Sequence, residues 1–317
     1  MDATNVSVKQ TNAKKRKNFE QEEENARSFG LKKLYVSDVV IMAILVILCL
    51  TCILPFMHLI AKSLSSNSEV LAKNVYLFPK GINVDAYRSI FADGQLTHSM
   101  LFTVLVTVIF TLLGMIVTTC GAYPLSRKRL KGRSFFSVLL MFPMYFGAGL
   151  IPAYLLMKDL HLLDTMWVLI LPLVFSPYNM LIMKSFLQSS IPDSLEESAF
   201  LDGASNITIL WKIVLPLSKP IIATLCLFYA VGRWNAYADA KYYITTKALQ
   251  PIQYLLSNMV LSSADSSVSL SEAAEVVSTP EVYQAAAVMF ATIPIMCIYP
   301  FVQKYFVKGV MIGAVKG

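Results

Sequence analysis

Charge is what this sequence has least of. Asp, Glu, Lys and Arg make up 15% of its 317 residues, against 56% hydrophobic residues and a mean hydropathy of +0.59. A soluble domain carries roughly a quarter charged residues, so water is excluded as the solvent for most of this chain's surface. Cysteine is sparse: Cys49, Cys52, Cys120, Cys226 and Cys297 all fall in apolar runs, and no disulfide framework is implied. Cys49 and Cys52 have C-x-x-C spacing, yet redox or metal use wants an electropositive setting or a second ligand pair, which an apolar helix does not supply. Three histidines, His58, His98 and His161, lie on separate segments without metal-ligand spacing or a catalytic partner. No G-x-x-x-x-G-K-[ST] string occurs and no glycine precedes a lysine, which excludes a P-loop nucleotide site. No bound cofactor or metal is expected.

Long charge-free runs are what the sequence does have. Val39–Ile60, Ser99–Ser126, Ser134–Met157, Thr165–Met183 and Val282–Gln303 contain no Asp, Glu, Lys or Arg. Each approaches or exceeds the roughly 20 apolar residues that cross a hydrocarbon core about 30 Å thick. A sixth, Pro220–Ala238, carries Arg233 alone. The expectation is an all-α membrane protein, a six-helix bundle with spans over 39–60, 99–126, 134–157, 165–186, 217–238 and 282–303, behind a tail over 1–37. The first run is 22 residues long and starts behind almost forty polar residues, which speaks against a secretory signal.

Lys and Arg set the expected orientation. Nineteen lie in the tail, in Arg127–Arg133, among Lys184, Lys212 and Lys219, and at the C-terminus, against seven on the alternate loops. By the positive-inside rule both termini face the cytoplasm of a bacterial cell membrane. Lys14–Lys17 stand beside Glu20, Glu22, Glu23 and Glu24, so topology and anionic lipid account for them and for the net charge of +7 without a nucleic-acid partner. Of the outer segments, 241–281 is the longest, either a docking surface or a solvated linker.

The segment 187–216 reads as helix, glycine and helix. Asp193 and Glu196 have the spacing of a reciprocal N-terminal cap, Gly203 fits a left-handed stop, and Ser205 fits the next cap. Ile207, Ile209, Leu210, Ile213 and Val214 then offer apolar surface before Pro216 ends or bends the second helix.

This segment resembles the EAA loop of permeases in binding-protein-dependent ABC importers. Glu197-Ser198-Ala199, Gly203 and Ile213-Val214-Leu215-Pro216 keep the family spacing, with Ser198 the one departure from alanine. The literal Glu272-Ala273-Ala274 is a decoy, because Ser278 stands at its glycine position and no I-x-L-P follows. Gly149-Leu150-Ile151-Pro152, Arg233-Trp234-Asn235 and the ending from Gln303 look like the carbohydrate-importing branch. The resemblance implies a permease that moves a sugar, delivered by an extracytoplasmic solute-binding protein, in the lipid bilayer beside a second related permease. ATP and Mg would belong to a separate cytoplasmic ATPase dimer, so this chain is not itself an enzyme. Its coupling residues would be Glu197, Ser198, Ala199, Asp202, Gly203, Ile213, Leu215 and Pro216.

Sugar recognition uses aromatic faces and neutral hydrogen-bonding groups, which marks Tyr145, Tyr178, Asn179, Trp234, Asn235 and Tyr237 as candidates for a passage lining. Trp and Tyr also gather at membrane interfaces, a competing account of each. Arg233 is an ionisable group within a span, functional by default unless it snorkels to the outer surface. A channel would need no ATPase-docking element, an intramembrane enzyme would need paired reactive groups inside spans, and an importer of a non-sugar solute or an exporter subunit stays open as an alternative.

Overall fold

The computed structural model describes residues 36–265 and 279–314, with side chains over 38–261 and 279–300. The tail over 1–35, the Glu272-Ala273-Ala274 decoy and the side chains of the C-terminal ending lie outside these residues. The chain divides into two units, residues 1–57 and 58–317. The described part of the first is helix alone, the opening of α1 (Val36–Ser63).

Every described element of the second unit is helical. After two short helices, α2 (Asn67–Leu71) and α3 (Asp85–Asp93), comes α4 (Gln95–Ser126), whose 32 residues extend about 48 Å. Then follow α5 (Arg133–Tyr145), α6 (Leu150–Asp159), two 3-10 turns over Met166–Leu169 and Leu171–Leu173, and α7 (Pro177–Ser190). The next stretch holds α8 (Asp193–Leu201), α9 (Asn206–Ile209), a π-turn over Leu210–Val214, and α10 (Leu215–Leu217). Then come α11 (Lys219–Asn235), α12 (Ala238–Tyr243), a 3-10 turn over Lys247–Leu249, α13 (Ile252–Asp265) and α14 (Pro280–Ala314).

Among the described residues three helices are long and apolar enough to cross a membrane: Asp38–Ser63, Gln95–Ser126 and Pro280–Pro300. The other three expected spans fall on pairs of helices bent at a short break rather than on single straight helices. Between α5 and α6 the chain turns by 111°. Pro143 stands near the end of α5, and Gly149 adopts φ 86, ψ 173, a conformation open essentially to glycine alone. Absence of charge passes a hydropathy test there, but backbone continuity fails. The 165–186 span is likewise 3-10 turns and then α7 at 47°, because Pro172 and Pro177 lack the N–H groups a continuous helix uses, and Ser176 restarts it by accepting from the Asn179 amide at 3.3 Å. From 206 to 235 the bend is 82°, with Pro216 and Pro220 on either side of it.

The core is built on α4, which packs against α7 and α11, while α11 also meets α14. Small residues allow the closest approach. The Tyr229 ring lies where a Cβ on Gly114 would come within 2.8 Å of it, and Tyr229 shares a 2.7 Å hydrogen bond with Thr118 and an edge contact with Phe110. Val106, Leu169, Met183, Leu187 and Leu225 complete this cluster, and a second one gathers Ile90, Leu96, Trp234, Ile252 and Ala286.

Candidate functional site

Two places concentrate polar groups against apolar helices. The first is the helix–glycine–helix. Gly203 has φ +79, so the left-handed stop is real, and α8 closes with Gly203 and Ala204 amides donating to Phe200 and Ala199 carbonyls. Ser205 caps α9 by accepting from the Thr208 amide at 3.3 Å. Pro216 has no N–H to give the Lys212 carbonyl, and the turn ahead of it widens to a π-turn before α11 departs.

The cap at the start of α8 differs from expectation. Pro192 is the N-cap, and Asp193 and Glu196 turn outward from the helix end to basic side chains. Arg127 Nε lies 2.9 Å from Glu196 Oε1, an attraction of charges rather than a straight hydrogen bond. Its Nη1 stands 3.5 Å from Asp193 and donates to the Ile191 carbonyl at 3.3 Å. Charge outcompetes capping because Arg127 is buried beside the Glu196 carboxylate, with the more exposed Arg129 3.9 Å away. Arg129 donates to Asn206 Oδ1 at 2.6 Å and lies over the Phe200 ring, 4.3 Å from its centre. A cleft of about 390 Å³ opens among Arg127, Lys128, Arg129, Asp193, Glu196, Glu197 and Phe200.

Of the expected coupling residues, Glu197, Ser198, Asp202, Gly203 and Pro216 are exposed, and Ala199, Ile213 and Leu215 are half-buried. Around them stand large exposed apolar side chains, Leu201 at 89%, Ile207 at 71% and Trp211 at 67%. Sequence reasoning missed Leu201 and Trp211 as a surface. It also read Arg127–Arg133 as topology alone, and the signal it passed over was Asp193 and Glu196, two acids one helical turn apart with a basic run elsewhere to receive them. Lys184, counted with the loop charges, instead lies inside α7 and donates to Ser137 at 2.8 Å.

The second place surrounds Arg233, which does not snorkel. It is 3% exposed, donates to the Leu169 carbonyl at 2.8 Å, and grips both carboxylate oxygens of Asp239 through its two Nη atoms. Burial holds because every charge is met within the fold. With Asn179 it borders a small cavity of about 190 Å³, which Phe110, Ser176 and Tyr229 also line. The other passage candidates do not converge there. Trp234 is buried in the second cluster, Asn235 donates to the Val231 carbonyl of its own helix, and Tyr145, Tyr178 and Tyr237 are exposed. Among the described residues no group of His, Cys, Asp and Glu is placed to hold a metal ion.

Residues 111–312 match the family described as the binding-protein-dependent transport system inner membrane component. The chain belongs to that family. Among its relatives is the polygalacturonan/rhamnogalacturonan transport system permease protein YtcP of Bacillus subtilis (strain 168), 44% identical over 281 residues that cover 88% of this chain and 98% of YtcP. The melibiose/raffinose/stachyose import permease protein MelC of the same organism is 27% identical, covering 83% of this chain and 91% of its own. A crystal structure of a bacterial ABC transporter for import of the acidic polysaccharide alginate contains a chain with a TM-score of 0.80 and 31% identity, over 87% of this chain and all of that one. The family is a transport component of the membrane rather than an enzyme, and three of the described helices have the apolar length that crossing a membrane demands.

Proposed function

We propose that this chain is a membrane-spanning permease subunit of an ATP-driven importer, carrying an oligosaccharide or sugar derivative handed over by an extracytoplasmic solute-binding protein. Six spans, three of them bent, and cytoplasmic termini complete the reading. The observation that carries it is the exposed face of the helix–glycine–helix. Leu201, Ile207 and Trp211 are bare beside Glu197 and Asp202 on a chain with no P-loop of its own. Apolar patches rimmed by charge mark docking sites. The occupant that fits is a cytoplasmic ATPase dimer, which would bind ATP and Mg, hydrolyse the ATP and drive this segment. A second, related permease would supply the facing half of the passage.

The names of the relatives favour a saccharide, and two of them, for polygalacturonan/rhamnogalacturonan and for alginate, point to chains bearing carboxylates. The test is reconstitution of the complete complex with its solute-binding protein in liposomes. Uptake of oligogalacturonides, neutral oligosaccharides and amino acids is measured with and without ATP. ATP-dependent uptake of a saccharide is expected, and transport of amino acids alone would overturn the substrate class.

A further inference from the structure

The loop between α4 and α5 holds both arms of the helix–glycine–helix at once. On the α8 side, Arg127 reaches Glu196, Asp193 and the Ile191 carbonyl from a side chain that is 4% exposed, and the Glu196 side chain is 5% exposed. On the far side of Gly203, Arg129 reaches Asn206 at the start of α9 while its guanidinium covers Phe200 of α8. Orientation in the membrane accounts for basic residues in this loop, but not for an arginine drawn out of solvent between two carboxylates.

We propose that Arg127 and Arg129 are positioning residues, forming a strut through which the helix–glycine–helix and α4 move as one body. This rests on the reading of that segment as the ATPase-driven element. Without the strut, a displacement of α8 would pass into the membrane part through non-directional apolar packing around Ile209 and along the chain. One chain path runs back through the extended Ile191 and Pro192 into α7, and the other runs forward through the π-turn and the 82° bend into α11. Both joints yield more readily than a helix. The strut leads instead straight to the foot of α4, the long helix against which α7 and α11 both pack. Arginine suits the task, since its planar fork of five donors can hold two carboxylates and a carbonyl in fixed directions, where a lysine is a compact point charge on a flexible stem.

The test uses the complete transporter in liposomes, with Arg127→Gln, Arg127→Lys, Glu196→Gln and Gly203→Val each compared with the parent. Three quantities are read: permease abundance, ATPase co-purified per permease, and saccharide imported per ATP hydrolysed. Arg127→Gln and Glu196→Gln are expected to keep the ATPase bound, because the exposed docking face is untouched, while import per ATP falls about tenfold. Arg127→Lys should recover a part of that loss. Unchanged import per ATP in Arg127→Gln and Glu196→Gln overturns the strut. So does a loss of abundance alone, with a normal ratio in the assembled fraction, because that marks a merely structural ion pair. Gly203→Val separates the two readings: if it also imports normally, the driven-element reading fails, and if it fails while the Arg127 variants import normally, only the strut does.

Discussion

Arg127 and Arg233 are alike at first sight. Both are 3% exposed, both meet carboxylates, and both donate to a backbone carbonyl 64 residues away, at Ile191 and Leu169. Phe110, beside Arg233, and Arg127 flank the same helix, about 26 Å apart along it. Their partners differ. Arg233 closes on Asp239, six residues on, with its two Nη atoms on the two carboxylate oxygens, and shares that carboxylate with no other basic side chain among the described ion pairs. Arg127 shares its carboxylates with Lys128 and Arg129, and its cluster opens to solvent at Glu197. A buried charge closed on a single carboxylate nearby in the chain fixes architecture, whereas a shared one at the edge of a docking face fixes the relation between two bodies.

The sharpest way to break that contrast is Arg233→Met. Removing one partner of a buried pair leaves Asp239 and the Leu169 carbonyl unmet, at a cost of about 3–5 kcal/mol. Abundance in the membrane should fall several-fold. Pairing the change with Asp239→Leu should restore most of it, because replacing a whole buried pair with apolar groups is often near neutral. Quantitative blotting and the thermal midpoint of the purified complex check both. Unchanged abundance and midpoint in Arg233→Met would place the arginine outside the architecture and erase the distinction.

Gly203→Val probes the other end. A Cβ there meets no atom within 4 Å, so the whole penalty comes from φ +79 and amounts to about 1–2 kcal/mol, somewhat more for a β-branched residue. That is too little to remove the protein from the membrane. It is enough to change the angle between α8 and α9. Near-normal abundance with lost uptake is expected, and Gly203→Asn, which tolerates the left-handed region, should keep more uptake than Gly203→Val. Full uptake by Gly203→Val would separate the glycine from coupling.

The same contrast explains what the sequence made legible. Gly203, Ser205 and Pro216 could be read because each expresses a local backbone demand, and the structure has all three doing what their chemistry requires. Apolar runs could be counted, but their straightness could not, since Gly149 and the prolines at 143, 172 and 177 act on backbone geometry that hydropathy ignores. The Asp193–Glu196 spacing misled because capping and long-range pairing demand the same residues. Only the fold, which brings residue 127 beside residue 196, decides between them. For Arg233 the sequence left two readings open, and the choice lay at Leu169 and Asp239 rather than in the length of its stem.

The smallest expected effect belongs to Asp164, which does on the surface what Arg233 does inside: it ties the turn before the 3-10 stretch to the segment after α12. Held at φ 56, it accepts from the Thr245 amide at 2.9 Å, the Thr246 amide at 2.8 Å and the Thr246 hydroxyl at 2.6 Å. The Thr246 hydroxyl and amide chiefly, with Thr245, favour the charged carboxylate and hold its pKa at about 2, below the ordinary 3.8. A depressed carboxyl pKa means that the unfolded chain takes up the proton first. The contribution is therefore complete above about pH 4 and is lost as pH falls towards 2. Because the group is open to solvent, the effect is small and screened by salt. Asp164→Asn keeps one acceptor oxygen but no charge, so its thermal midpoint should lie slightly below the parent's at pH 6, with the gap closing between pH 4 and 2. A gap that stays constant across that window would mean that the turn is held by shape and not by charge, and the resemblance to the buried clasp at Arg233 would end there.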